Sequence, residues 1–372
     1  MSRQLNKARV GLLAICSLLI FALSADQLSG QVMICNVPSD KPNISQALED
    51  ESCATINVAA GTFSGNFFIE RDVEIQGAGV EGTILHGGGD GTVIEIVSGT
   101  VKLTDLTITG GRSSFGAGVF SKPNATLAIE QVAFVENIAT VQGGGLDVRG
   151  PATLTDVLFQ SNEAVQGGGL YTTATASLNR VALIGNTVTA FGGGIFVRGG
   201  QLDLTNTTIS NNVAVASSAL GDGGGIFVKE GTVRLTQVTM NENTARLGGA
   251  IFNEAGSIFS KSSIFANSVE SENCFNPVNS LGFNLSSDDS CAAFLTQATD
   301  QNNIDVMLDH TGPKDNGGET PTIALLADSP AIDNIPSADC TDQDGAVVSL
   351  DQRGVGRPQR NACDSGAFEV QG

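Results

Sequence analysis

One pattern recurs seven times between residues 101 and 267, and it restricts the possible folds of this chain more than any other feature. Each copy runs through apolar positions to a turn residue: Gly111, Asn137, Asn162, Asn186, Asn212, Asn243 and Asn267, at intervals of 26, 25, 24, 26, 31 and 24 residues. Three positions earlier stand Ile108, Phe134, Phe159, Leu183, Ile209, Met240 and Ile264. Eight earlier stand Leu103, Ile129, Leu154, Leu178, Leu204, Leu235 and Phe259, and five earlier Leu106, Val132, Val157, Val181, Thr207, Val238 and Ser262. After the turn residue a glycine cluster leads into a further apolar step, as in Gly143 before Leu146, Gly167 before Leu170, Gly192 before Ile195 and Gly223 before Ile226. A unit this short cannot bury its own apolar face, so it must stack on its neighbours as a solenoid.

The type of solenoid follows from what lies between the apolar steps. Leu, Val, Phe and Asn at these offsets also satisfy the leucine-rich-repeat spacing, whose return side needs a helix or 3₁₀ turn. Here the return segments read IATVQGGGLDV, TVTAFGGGIFV and TARLGGAIFN, and glycine runs resist helix. With 46 Gly, no Trp, one Tyr and many β-branched residues, the composition suits short strands joined by tight turns. The expectation is an all-β chain, a parallel β-helix with the Asn column as a structural ladder at one corner. Asn tolerates left-handed backbone, and its amide can bond the next rung. The 31-residue step places an extra loop at residues 213–222, where function could lodge.

The stretches VAAGTF, VEIQGAGVEGTILHG and LTDLTITGG resemble the opening coils of the pectin-lyase-like right-handed parallel β-helices, a likeness that covers residues 52–268. The Asn-ended step followed by GGAI also resembles the repeats of chlamydial polymorphic outer membrane proteins. These resemblances imply a right-handed parallel β-helix of roughly nine coils, a rod about 45 Å long. Residues 268–372 resemble the choice-of-anchor Q domain of bacterial surface proteins, through residues 315–322, 329–333, 351–354 and 363–369. That likeness implies a place on the cell surface.

The ends of the chain divide accordingly. Arg3, Lys7 and Arg9 precede an apolar run of about 14 residues and a small-residue exit at Ala22, Ser24 and Ala25, the pattern of a secretory signal peptide over residues 1–25. The run falls short of the ~20 residues a membrane span needs, and no transmembrane segment follows. Residues 32–53 are expected to form an N-terminal cap with a short helix, Asn43 or Ser45 being its N-cap. The β-helix then covers residues 54–267, and a loop-rich region covers 268–372.

Six cysteines remain after the leader, Cys35, Cys53, Cys274, Cys291, Cys340 and Cys363, an even number that reads as disulfides on an exported chain. Six allow 15 connectivities, of which pairing in sequence order is favoured. The two histidines, His86 and His310, have no Cys at ligand spacing, so no metal or cofactor is assigned. Without the leader's three basic residues the chain carries 16 Lys and Arg against 39 Asp and Glu, a net charge of about −23. Such a surface repels nucleic acid and anionic membranes.

Cleavage of acidic polysaccharide would need clustered carboxylates with a basic residue, or two facing carboxylates. Six positions before the turn residue the column reads Asp105, Gln131, Asp156, Arg180, Asn206, Gln237 and Lys261, a mixed solvated face, so no catalytic residue is assigned. His86 reads as a loop residue, and Asp342, Asp344 and Gly345 as a turn. One column remains as a ligand surface: Phe120, Asp147, Tyr171, Phe196, Phe227 and Phe252, which alternation places outside the bore. Contiguous exposure of its rings would suit a sugar chain or another surface protein. The rarity of exposed rings favours the competing arrangement, in which the rings turn inward or are covered. The function expected is a non-catalytic, adhesin-like exported scaffold; the alternatives are a polysaccharide lyase or glycosidase, and a purely structural envelope protein.

Overall fold

The computed structural model describes residues 33–215 and 220–372; the signal-peptide reading, over residues 1–25, lies outside the described residues. The chain winds into a parallel β-solenoid of about ten turns, close to the nine expected. Each middle turn contributes three short strands, and every stacked pair along the rod is parallel. Strand register follows the sequence columns: Leu103, Ile129, Leu154, Leu178, Leu204 and Leu235 are successive partners. Like therefore stacks on like. The Phe134 and Phe159 rings lie 4.8 Å apart at 7°, inside a bore of fully buried Ile, Leu and Val.

Two corners of each turn are left-handed. One comprises Asp105, Gln131, Asp156, Arg180, Asn206, Gln237 and Ser262, with φ between 49° and 57°. The other comprises Gly110, Glu136, Ser161, Gly185, Asn211, Glu242 and Asn267, so it is the residue before the ladder Asn, and not the Asn itself, that bends the chain. The ladder's job is hydrogen bonding. Asn162 Oδ1 accepts from the Asn137 backbone N–H at 3.1 Å, while Asn162 Nδ2 donates to Phe134 O at 2.9 Å and to Asn186 Oδ1 at 2.9 Å. The same three bonds recur at Asn186 and Asn212, and Asn243 keeps the first two, all with side chains closed to solvent.

The seventh copy is out of step by one. Met240 pairs with Phe265 rather than Ile264, and Leu235 with Ser260 rather than Phe259. Asn267 therefore lies at the left-handed position, exposed, and Ser262 rather than Lys261 continues the other corner. Ser268 stands at the vacated rung and Asn273 makes the next one: Asn273 Oδ1 accepts from Ser268 N at 3.2 Å and its Nδ2 donates to Phe265 O at 3.0 Å.

Both ends of the bore are closed. Asn43 caps the helix Ile44–Glu49 by accepting from Gln46 N, and Ile44 and Ala47 cover the first coil. Arg71 holds that helix down, donating to the carbonyls of Ala47, Leu48, Asp50 and Cys53. At the far end Cys274, Val278, Cys291 and Leu295 plug the core. The disulfides are Cys35–Cys53, Cys274–Cys291 and Cys340–Cys363, the sequence-order pairing.

The chain then returns along the outside of the rod. Gln352 Oε1 accepts from Thr208 at 2.7 Å, Asn206 donates to Leu350 O at 2.9 Å, and Ala367 N donates to Thr239 at 2.9 Å. This cover explains why Thr208 and Thr239, which point away from the bore, are buried.

Replacing a ladder amide leaves several buried groups without partners, at about 1–3 kcal/mol each. Asn186→Ala is expected to lower stability by roughly 3 kcal/mol or more in urea unfolding, and Ser161→Gly, exposed and already left-handed, by less than about 1 kcal/mol. Equal losses at the two sites would sink the assignment of the ladder.

Candidate functional site

The turn after each ladder Asn does not run straight into the next strand. It forms a separate parallel ribbon of short strands, Arg112–Phe115, Ile138–Gln142, Glu163–Gln166, Thr187–Phe191 and Val213–Ala214, before the glycine cluster turns the chain back. The first glycine of each cluster has φ between 61° and 68° at Gly143, Gly167, Gly192, Gly223 and Gly248. The second has no room for a side chain: a Cβ on Gly168 would lie 2.5 Å from Gly193 O in the next turn. Sharp bends stacked on one another make a re-entrant corner that runs along the rod.

Two columns face each other across this corner. On the ribbon side the register aligns Phe115, Gln142, Gln166, Phe191, Asp222 and Leu247. On the strand side it aligns Phe68, Glu95, Phe120, Asp147, Tyr171, Phe196, Phe227, Phe252 and Phe275. The strand-side column stands outside the bore, as alternation requires: Tyr171, Phe196, Phe227 and Phe252 form an apolar cluster of their own.

The rings do not form an exposed row; they are covered, the arrangement that the rarity of exposed rings favours. Tyr171 is 1 % exposed, Phe196 1 %, Phe227 3 % and Phe252 9 %. The cause is the stacking itself, because neighbouring rings lie 4.9–5.3 Å apart at 5° and cover each other's faces. Phe191 and Leu247 from the ribbon close over them. Phe120 remains half-buried beneath the Arg149 guanidinium, 4.5 Å from its ring centre. Asp147 interrupts the rings and is fully buried, paired with Arg149 at 2.9 Å and accepting from Gln142 at 3.1 Å.

What stays open is a cleft of about 410 Å³ where the corner passes Phe191, Phe196, Phe227 and Phe252. Gln166, Arg198, Asp222, Lys229 and Glu254 complete its lining. At the rim Lys229 pairs with Glu254 at 3.0 Å. Deeper, Asp222 Oδ2 accepts from Arg246 at 2.8 Å, while Asp222 Oδ1 has no hydrogen-bond partner among the described residues. Burial pushes the Asp222 carboxyl above the usual carboxylate range, and Arg246 draws it only partly back. Phe191 was missed by sequence reasoning, and Asp222 was reached only as the last residue of the inserted loop. Their signal was the residue standing immediately before each glycine cluster, a column as regular as the one after it.

The remaining charged groups are occupied in holding the fold. Arg180 makes a two-pronged pair with Asp156 in the turn below, at 2.7 and 2.6 Å. Arg234 binds Asp344 at 2.7 Å and lies 3.9 Å from Asp203. Lys261 Nζ donates to Thr341 Oγ1 at 2.6 Å. Asp342 Oδ1 accepts from the N–H groups of Asp344 and Ala346, the turn expected there. His86 ends the strand Thr83–His86, and its Nδ1 accepts from Gly88 N. Residues 351–354 and 363–369 meet in a buried ionic knot of Asp351 with Arg353 and Glu369 with Arg357, at 2.7 and 3.0 Å. Among the described residues no group of three or more His, Cys, Asp or Glu side chains is arranged to hold a metal ion. The chain matches no protein-family model and no curated protein.

Burial also raises the Asp147 carboxyl, against the pull of Arg149 and then Gln142. A carboxyl raised on folding contributes stability that is fully present below its unfolded pKa and lost as pH rises through the folded value. Asp147→Asn should therefore gain on the parent as pH rises from about 3 to 7, read from urea midpoints. Parallel curves would contradict the assignment.

Proposed function

We propose that this protein is an extracellular, non-catalytic binding scaffold, secreted or held at the cell surface, whose ligand site is the corner cleft. The carrying observation is that cleft: four phenylalanines, the largely buried Asp222 and a charged rim gathered in one concavity. Most pockets that bind ligands combine such an apolar lining with a few placed polar groups. Export is favoured by the signal-peptide pattern of residues 1–25 and by three disulfides, which persist in oxidising compartments. No helix among the described residues is long and apolar enough to cross a membrane. The likeness to pectin-lyase-like coils, to chlamydial repeat proteins and to the choice-of-anchor Q domain supports a surface role with a polysaccharide or another surface protein as partner.

The enzyme reading finds little support in the arrangement of charges. Three basic groups on the outer face, Arg180, Arg234 and Lys261, are engaged by Asp156, Asp344 and Thr341. A lyase would need such a base free beside clustered carboxylates. Incubation with uronate polymers, with and without calcium, is expected to leave chain length unchanged by size-exclusion chromatography. Clear depolymerisation would overturn the proposal.

A further inference from the structure

We propose that a second concavity on the same corner, nearer the N-terminus, binds an uncharged sugar chain, with one pyranose ring packed on Phe68 and its hydroxyls donating to Asn66, Asp90 and Glu95. This concavity has a volume of about 430 Å³, and Asn66, Phe68, Asp90, Thr92, Glu95 and Ser113 lie in its lining. It is separate from the cleft at Phe196 and Phe227, several turns further along the rod, and does not rest on that reading.

Phe68 belongs to the same column as the covered rings, yet it is 52 % exposed where Phe196 is 1 %. The difference lies in the neighbouring rung. Phe68 opens the column and its one aligned neighbour is Glu95, so no ring stacks on it among the described residues. An accessible ring in a concavity is a platform for the apolar face of a ligand.

The polar side chains around that ring have committed their donors and kept their acceptors. Asn66 Nδ2 donates to Asp90 O and to Thr92 O, both at 2.7 Å, which fixes the amide with Oδ1 unbonded among the described residues. Thr92 Oγ1 donates to Ser113 Oγ at 3.0 Å, and Ser113 Oγ in turn to Phe115 O at 2.8 Å. Asp90 is exposed, and Glu95 keeps Oε2 while Lys122 holds Oε1 at 2.6 Å. A lining of acceptors beside an open ring calls for a ligand with several donors and one apolar face, and a pyranose carries both.

Charge narrows the class further. A uronate would bring its own carboxylate to this lining and to a chain of net charge −20, so acidic sugars are disfavoured. An ammonium group finds no strong anchor: Glu95 is already compensated by Lys122, and an ion pair with the exposed Asp90 contributes little.

The test is calorimetric titration of the full chain with uncharged hexasaccharides of glucose, mannose, galactose, xylose and N-acetylglucosamine, beside hexagalacturonate and Nα-acetyl-lysine methylamide. At least one uncharged chain is expected to bind saturably, about tenfold more tightly than the uronate. Phe68→Ala should weaken that binding about tenfold and Phe68→Trp restore it, both at a side chain exposed enough to leave the fold intact. Asp90→Ala should weaken it about threefold. Binding by none of the uncharged chains, unchanged affinity in Phe68→Ala, or tighter binding of the uronate or the lysine probe would overturn the inference. If Lys229→Ala weakens the sugar and Phe68→Ala does not, the sugar occupies the other cleft, so this inference falls and the reading of that cleft stands. Loss in Phe68→Ala alone supports the inference whatever becomes of the cleft.

Discussion

The structure depends on a buried amide that serves two turns of chain at once. From Asn137 to Asn212 each ladder asparagine accepts the backbone N–H one turn away and donates to a carbonyl and to the next amide, so consecutive turns are held in a single register. Register matters more here than in an ordinary sheet. A slip of one residue would carry every inward Leu, Ile and Val to the outside of the rod. The amides are closed to water, where an unpaired group is costly, and the cost of misalignment is what makes them specify the stack.

Once register is fixed, the outer surface becomes a set of columns, and chemistry at one position is repeated or interrupted along the rod. The phenylalanine column is the clearest case: identical rings at the spacing of paired strands stack face to face and remove themselves from solvent. The interruptions carry the polarity. Asp147 replaces a ring and buries its charge against Arg149, whereas Asp222 replaces a ribbon-side residue and keeps an oxygen free. The glycine bends bring these two columns together, so the cleft is a product of backbone geometry as much as of side chains.

Much of the fold was legible because apolar spacing, glycine bends and asparagine turns repeat, and repetition turns weak local signals into one strong one. The disulfide pairing and the capping helix at Asn43 followed from position alone. The seventh copy misled because Asn267 stands one place early: the rung position falls on Ser268, and the next amide rung, Asn273, lies beyond the apparent end of the pattern. The site was half legible. Alternation placed the aromatic column outside the bore, but exposure depends on what covers a residue, and the cover comes from the ribbon, whose path the sequence did not disclose. Two of the C-terminal stretches, 351–354 and 363–369, meet in a buried knot of Asp351, Arg353, Arg357 and Glu369.

Amide hydrogen exchange across the full chain tests the central dependence on the ladder most directly. If the asparagine amides hold the register, the backbone N–H groups of Asn137, Asn162, Asn186 and Asn212, bonded to side-chain oxygens rather than to strand carbonyls, will exchange as slowly as those of Leu154 and Leu178 in the core strands. Exchange of those four at the rate of the exposed ribbon residues Thr140 and Thr189 would show that the turns are held by apolar packing alone, and would contradict the account.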